Sequence, residues 1–130
     1  MLIGAVADPL RWDRWPEAEA LLEPARTRGD FETCLEPDEV LFVVMDGDDL
    51  LAAITAWLSN DGFVEVKLIG GRDHRRWVAE LDRVIGSAAR DAGATRLIAI
   101  GRRGWFKELK RLGWAECQPV DDHWLFERTL

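Results

Sequence analysis

The stretch from Phe63 to Gly101 constrains the fold more than any other, because its hydrophobic period changes twice within one short span. Val64, Val66 and Leu68 alternate with Glu65 and Lys67, the period of two that marks a strand. Gly70 and Gly71 end that run. Trp77, Leu81, Val84, Ile85, Ala88 and Ala92 then recur at helical spacing and predict one apolar stripe. Gly93 stands where a helix C-cap belongs. Leu97 to Ile100 is nearly all apolar, as in a strand covered on both faces. A strand–helix–strand unit of this length is a parallel crossover, right-handed by default. It aims the free N–H groups of the helix N-terminus into the space beyond the first strand, where an anion is favoured.

The flanking segments supply the partners this unit needs. Leu2 to Ala7 predicts a first strand, stopped by Pro9. Arg11 to Arg28 places Trp12, Trp15, Ala18, Leu21, Leu22 and Ala25 on one side of a helix. Asp13 is its expected N-cap, Pro16 lies in the first turn, and Pro24 marks an end or a kink. Phe31 to Leu35 reads as one helical turn before a loop at Glu36-Pro37-Asp38-Glu39. Val40 to Met45 and Leu50 to Leu58 flank the hairpin turn Asp46-Gly47-Asp48. A second turn, Ser59 to Gly62, leads into the strand at Phe63, so three strands form an antiparallel meander. After Gly101, Trp105 to Leu112 predicts a short helix with Leu109 and Leu112 inward and Gly113 as its cap. Trp114 to Val120 and Trp124 to Leu130 are the last strands, joined at Asp121-Asp122. The expected fold is a single α+β domain over residues 1–130, with a mixed, mostly antiparallel sheet and helices on both faces.

Composition narrows the function classes. Apolar residues make up 48% of the chain, which argues against disorder. No apolar run approaches the roughly 20 residues of a membrane span. Met1 to Ala7 lacks the basic start of a signal peptide, so a cytoplasmic location is expected. Cys34 and Cys117 lack metal-ligand spacing and read as free thiols, with Cys117 buried and inert on a strand; no metal is expected. The net charge of −7 is uneven, −9 over residues 1–60 and +2 over residues 61–130. That acidity argues against nonspecific nucleic-acid binding. The basic clusters Arg72–Arg76 and Arg102–Arg111 are either solvated faces or receivers of one anionic ligand.

The element order, the glycine pair after the fourth strand and the ending Lys110-Arg111-Leu112-Gly113-Trp114 resemble the GCN5-related N-acetyltransferase (GNAT) superfamily. The resemblance implies that the fourth and fifth strands splay apart and that acetyl-CoA enters the gap, with its pyrophosphate on the helix amides. It assigns Gly70, Gly71, Arg72, Arg75, Arg76 and Trp77 to that cofactor. Gly101, Arg102, Gly104 and Trp105, with the glycine pair and Trp77, also resemble small phage and prophage GNAT-like proteins. This second likeness implies a virion or assembly protein as partner, with Arg102, Arg103, Gly104 and Trp105 as the contact patch. The chain departs from the superfamily at two places. Counting back from Gly93 puts Arg76-Trp77-Val78 where the Gly-x-Gly of the pyrophosphate motif belongs. The family's tyrosine acid is replaced by Leu109, and the chain holds no tyrosine. Glu65 is then either the family's strand carboxylate, acting as general base, or a solvent-facing residue. His74 is a phosphate contact or an ion-pair partner of Asp73, and His123 flanks a turn. Two readings follow: a non-catalytic virion or assembly component that binds no cofactor, and an acetyl-CoA-dependent N-acetyltransferase acting on a small amine.

Overall fold

The computed structural model describes residues 1–130. In chain order the elements are β1 (Leu2–Ala5), α1 (Trp15–Gly29), β2 (Val40–Asp46), β3 (Asp49–Leu58), β4 (Phe63–Gly71), α2 (His74–Asp91), β5 (Arg96–Gly101), α3 (Phe106–Arg111), β6 (Ala115–Val120) and β7 (His123–Thr129). Short 3-10 turns occupy Pro9–Arg11 and Arg103–Trp105. The seven strands form one sheet in the order β1-β2-β3-β4-β5-β7-β6. Only the β4–β5 pair is parallel, as the crossover through α2 requires.

Each face of the sheet buries its own apolar layer. On one side Trp77, Leu81, Ile85 and Ala89 of α2 pack on Val64, Val66, Leu97 and Phe126. On the other, Ala18 and Leu22 of α1 pack on Leu41, Val43, Ala53 and Leu68. Val66 and Leu68 face opposite layers, although simple alternation would put them on one. The cause is a β-bulge: Ala56 pairs with Val66 and Thr55 with Leu68, so Lys67 is the extra residue. The Leu68 N–H compensates by donating to the Thr55 hydroxyl (3.2 Å).

The bulge sets the geometry that matters for function. β4 and β5 pair from Phe63/Arg96 to Val66/Ala99 and then separate. The separation begins where Lys67 bends β4.

Several boundaries differ from the sequence expectation, each for a local reason. Gly70 and Gly71 lie inside β4, not in a loop after it. A Cβ on Gly70 would stand 1.7 Å from the Leu21 carbonyl oxygen of α1, and one on Gly71 (φ 152°) 2.4 Å from the Leu51 carbonyl oxygen. The pair is glycine because α1 and β3 close on the strand there. α2 begins at His74, before the apolar stripe starts at Trp77, with Asp73 left-handed (φ 58°) ahead of it. α1 begins at Trp15 after Arg14, so Asp13 is not its cap and Arg11 belongs to a 3-10 turn. Pro24 does not end α1; both it and Ala20, whose carbonyl loses its partner, are exposed to water. Phe31 to Leu35 is not helical: the Phe31 N–H and C=O are held by the Arg26 carbonyl (3.1 Å) and guanidinium (2.7 Å). β1 stops at Ala5, and α3 is shorter than expected because a 3-10 turn takes Arg103–Trp105. Cys117 is exposed, since β6 is an edge strand that bulges between Glu116 and Gln118.

Candidate functional site

Beyond Val66, one edge of β4 has no strand partner, and Lys67, Leu68 and Ile69 face Ile100 and Gly101 across a gap. The gap opens into a cavity of about 150 Å³. α2 and α3 close one side with Val78, Leu81, Ile85 and Leu109; α1 and the chain after it approach the other with Ala25, Arg28 and Phe31. The unpaired N–H and C=O groups along β4 suit an extended ligand that carries amides, since such groups need partners when buried.

The α2/α3 wall is apolar apart from one network whose members bond one another. The Trp114 indole N–H donates to Asp82 Oδ1 (2.8 Å), and Arg128 Nη2 lies 3.4 Å from Asp82 Oδ2. Gly86 makes this possible, because a Cβ there would stand 2.4 Å from Arg128 Nη2. The α1 side is differently equipped. Lys67 reaches over the Phe31 ring (4.5 Å) to pair with Glu39 (2.9 Å), whose side chain is only 3% exposed. Arg28 and His123 line the same cavity without a hydrogen-bond or ion-pair partner in the protein.

The mouth lies where the N-terminus of α2 meets the start of α3. His74 packs edge-on against Trp105 (5.4 Å), and its Nε2 is 3.6 Å from Glu108. Arg76 donates to Asp46 (2.8 Å), and this hydrogen bond holds the Asp46 carboxyl below the ordinary aspartate range. Arg72 and Arg102 have no carboxylate partner, and Arg75 is 87% exposed beside Glu108 (3.8 Å). The first N–H groups of α2, on His74 and Arg75, have no partner within the helix.

Arg102 and Trp105 line the cavity, while Arg72, Arg75 and Arg76 stand outside its lining around the α2 N-terminus. Trp77 is buried in the α2-face core, where its indole N–H donates to the Arg72 carbonyl (2.8 Å) and pins the turn into the helix. Arg103 covers the Trp124 ring (4.9 Å) and faces Glu116 (3.5 Å), and Gly104 is open to solvent. Glu65 does not line the cavity; it accepts a hydrogen bond from the Trp57 indole (2.8 Å). Leu109, which the GNAT resemblance sets in place of a tyrosine, does line it.

The sequence does not point to Lys67, Asp82, Arg28 and His123 as residues of this cavity. Asp82 had a signal: a carboxylate on the stripe of Val78, Leu81 and Ile85. Neither cysteine lines the cavity. Burial pushes the Cys34 thiol up to about 11, aided by its hydrogen bond to Glu23, and burial with the Glu127 charge raises Cys117. Neither is therefore an activated thiolate. No cluster of ligating side chains is present that would hold a metal ion, and no helix is long and apolar enough to cross a membrane.

No family model matches the sequence, and no curated protein matches it. Solved structures match it over nearly their full length. GCN5 from Tetrahymena is 10% identical with a TM-score of 0.73, covering 99% of this chain and 96% of that one. An aminoglycoside 6'-N-acetyltransferase complexed with coenzyme A is 10% identical with a TM-score of 0.73, covering 99% and 97%. IAA acetyltransferase from Bacillus cereus is 10% identical with a TM-score of 0.68, covering 99% of both chains. The fold is therefore that of the GNAT acyl-CoA N-acyltransferases.

Proposed function

We propose that the chain is an acetyl-CoA-dependent N-acyltransferase acting on a primary amine. The observation that carries this reading is the cleft itself: β4 bends away from β5 at Lys67, beside the N-terminus of α2. The residues there fit the donor. The free β4 edge from Lys67 to Ile69 would hold the amides of the pantetheine arm. The His74 and Arg75 N–H groups, with Arg72 and Arg75 side chains, would hold the pyrophosphate. Bound acetyl-CoA supplies an activated acyl carbon. The protein's part is to hold the amine on the opposite side of the cleft in attacking geometry and to exclude water, and such positioning alone is worth several kcal/mol of the barrier, about 7–11 at best. A missing tyrosine does not remove that contribution.

A second reading, a binding protein without catalysis, draws on three observations. Leu109 replaces the tyrosine, Glu65 is engaged by Trp57, and the positions beside Gly70 and Gly71 are filled by the protein's own backbone. Its virion-assembly form rests only on the resemblance at Gly101, Arg102, Gly104 and Trp105. Titration calorimetry with acetyl-CoA separates the two. The transferase reading expects a micromolar Kd, about −8 kcal/mol, and absence of heat at millimolar ligand would leave only the second.

A further inference from the structure

Resting on the transferase reading, we infer that His123 is the general base that takes the proton from the acceptor amine. The titratable side chains that line the cavity are Arg28 from α1, Lys67 from β4, Asp82 from α2, Arg102 after β5, and His123 at the start of β7. Arg28, Lys67 and Arg102 are cations and have no lone pair to offer at neutral pH. Asp82 has both oxygens occupied, by the Trp114 indole and by Arg128. His123 alone is uncommitted and half-buried, and a neutral imidazole offers a ring-nitrogen lone pair.

Its position suits the task. Phe126 and Arg128 of β7 face the α2 layer. Strand alternation therefore puts His123 on the α1 face with Phe31 and Lys67, across the cleft from the α2 N-terminus. An amine approaching from the α1 face meets the imidazole there, in a cavity that Arg28 also lines. Glu39 already neutralises Lys67, and Asp121 and Asp122 in the adjoining turn are exposed.

The step balances. The amine nitrogen bonds to the acyl carbon as the carbon–sulfur bond breaks. His123 takes one proton from that nitrogen, and the proton passes to the departing thiolate. Amine and thioester become amide and thiol, and the imidazole returns neutral.

The test uses the full chain with His123→Gln and His123→Ala. Acetyl-CoA affinity is read by calorimetry, and thiol release is followed with a panel of primary amines or, if none is acylated, with water as acceptor. His123→Gln should keep acetyl-CoA affinity within about threefold and lower kcat about a hundredfold or more. The rise of kcat with pH through the imidazole range should vanish, and added imidazole should partly restore the alanine variant. Bound CoA should also slow carbethoxylation of His123 by diethylpyrocarbonate, a readout independent of turnover. Unchanged kcat in His123→Gln, or equal modification with and without bound CoA, overturns the assignment and leaves the transferase reading standing. Absence of acetyl-CoA binding in the unsubstituted chain brings down both.

Discussion

The two sides of the cleft are built on opposite plans. On the α2/α3 side the buried polar groups bond one another: Trp77 to the Arg72 carbonyl, Trp114 to Asp82, Asp82 to Arg128. On the α1 side Arg28 and His123 have no partner in the protein, and only Lys67 is tied. Buried groups that bond one another rigidify a wall, while unpaired donors and acceptors at a surface remain available to a ligand. The first side is thus a template for shape and the second holds the groups that can do chemistry.

Substitution should expose that contrast most strongly at Asp82. Asp82→Ala strands the Arg128 guanidinium, whose side chain is 15% exposed, with its Nε already lacking a partner. Removing one member of such a pair costs about 3–5 kcal/mol, and replacing both, as in Asp82→Leu with Arg128→Met, should recover much of it. Arg28→Ala and His123→Gln should stay within about 0.5 kcal/mol of the original stability. Denaturant unfolding measures all four, and a His123 variant as unstable as Asp82→Ala would erase the distinction between the two sides.

Gly70 sharpens the comparison from the α1 side. Gly70→Ala drives a Cβ into the Leu21 carbonyl, 1.7 Å away, and α1 must move. The expected loss is about 3 kcal/mol, the upper part of the range for overpacking. Gly104→Ala, where no atom lies within 4 Å, should change stability by less than about 0.5 kcal/mol. A Gly70→Ala variant that stays stable but loses acetyl-CoA would return the glycine to the cofactor.

Legibility in the sequence followed the same division. The meander and the crossover were readable because each rests on periodicity and turn residues that act locally, whereas the splayed pair came only from the family resemblance. The Asp46–Asp49 hairpin needs positive φ at one position, and Gly47 (φ 60°) supplies it. The bulge at Lys67 was not readable: an extra residue leaves the polar–apolar alternation of β4 intact while reversing the face beyond it. The glycine pair was visible, but its cause was a helix distant in sequence. His123 reads as a turn neighbour because nothing local says that β7 lies beside β5 and begins at the cleft. Trp77 was legible as the first residue of the apolar stripe; the resemblance assigns it to the cofactor, but with α2 beginning at His74 it falls one turn in and points to the core.

The smallest expected effect concerns the arginines at the mouth, which the sequence presents as one cluster and the structure divides. Arg76 spends its guanidinium on Asp46 (2.8 Å) and stands near Asp73 (3.9 Å). Arg72 has no such partner, and Arg75 has only a distant one in Glu108 (3.8 Å). A charge-assisted hydrogen bond to phosphate contributes most where the donor gives up nothing to make it. Arg72→Ala with Arg75→Ala should therefore weaken acetyl-CoA about tenfold, and should flatten the fall of affinity with added salt. Arg76→Ala alone should shift it less than about threefold. Calorimetry at two ionic strengths reads both. If Arg76→Ala proves the costlier change, the pyrophosphate lies nearer the Asp46 hairpin than the first turn of α2, and the donor runs along the cleft at a different angle.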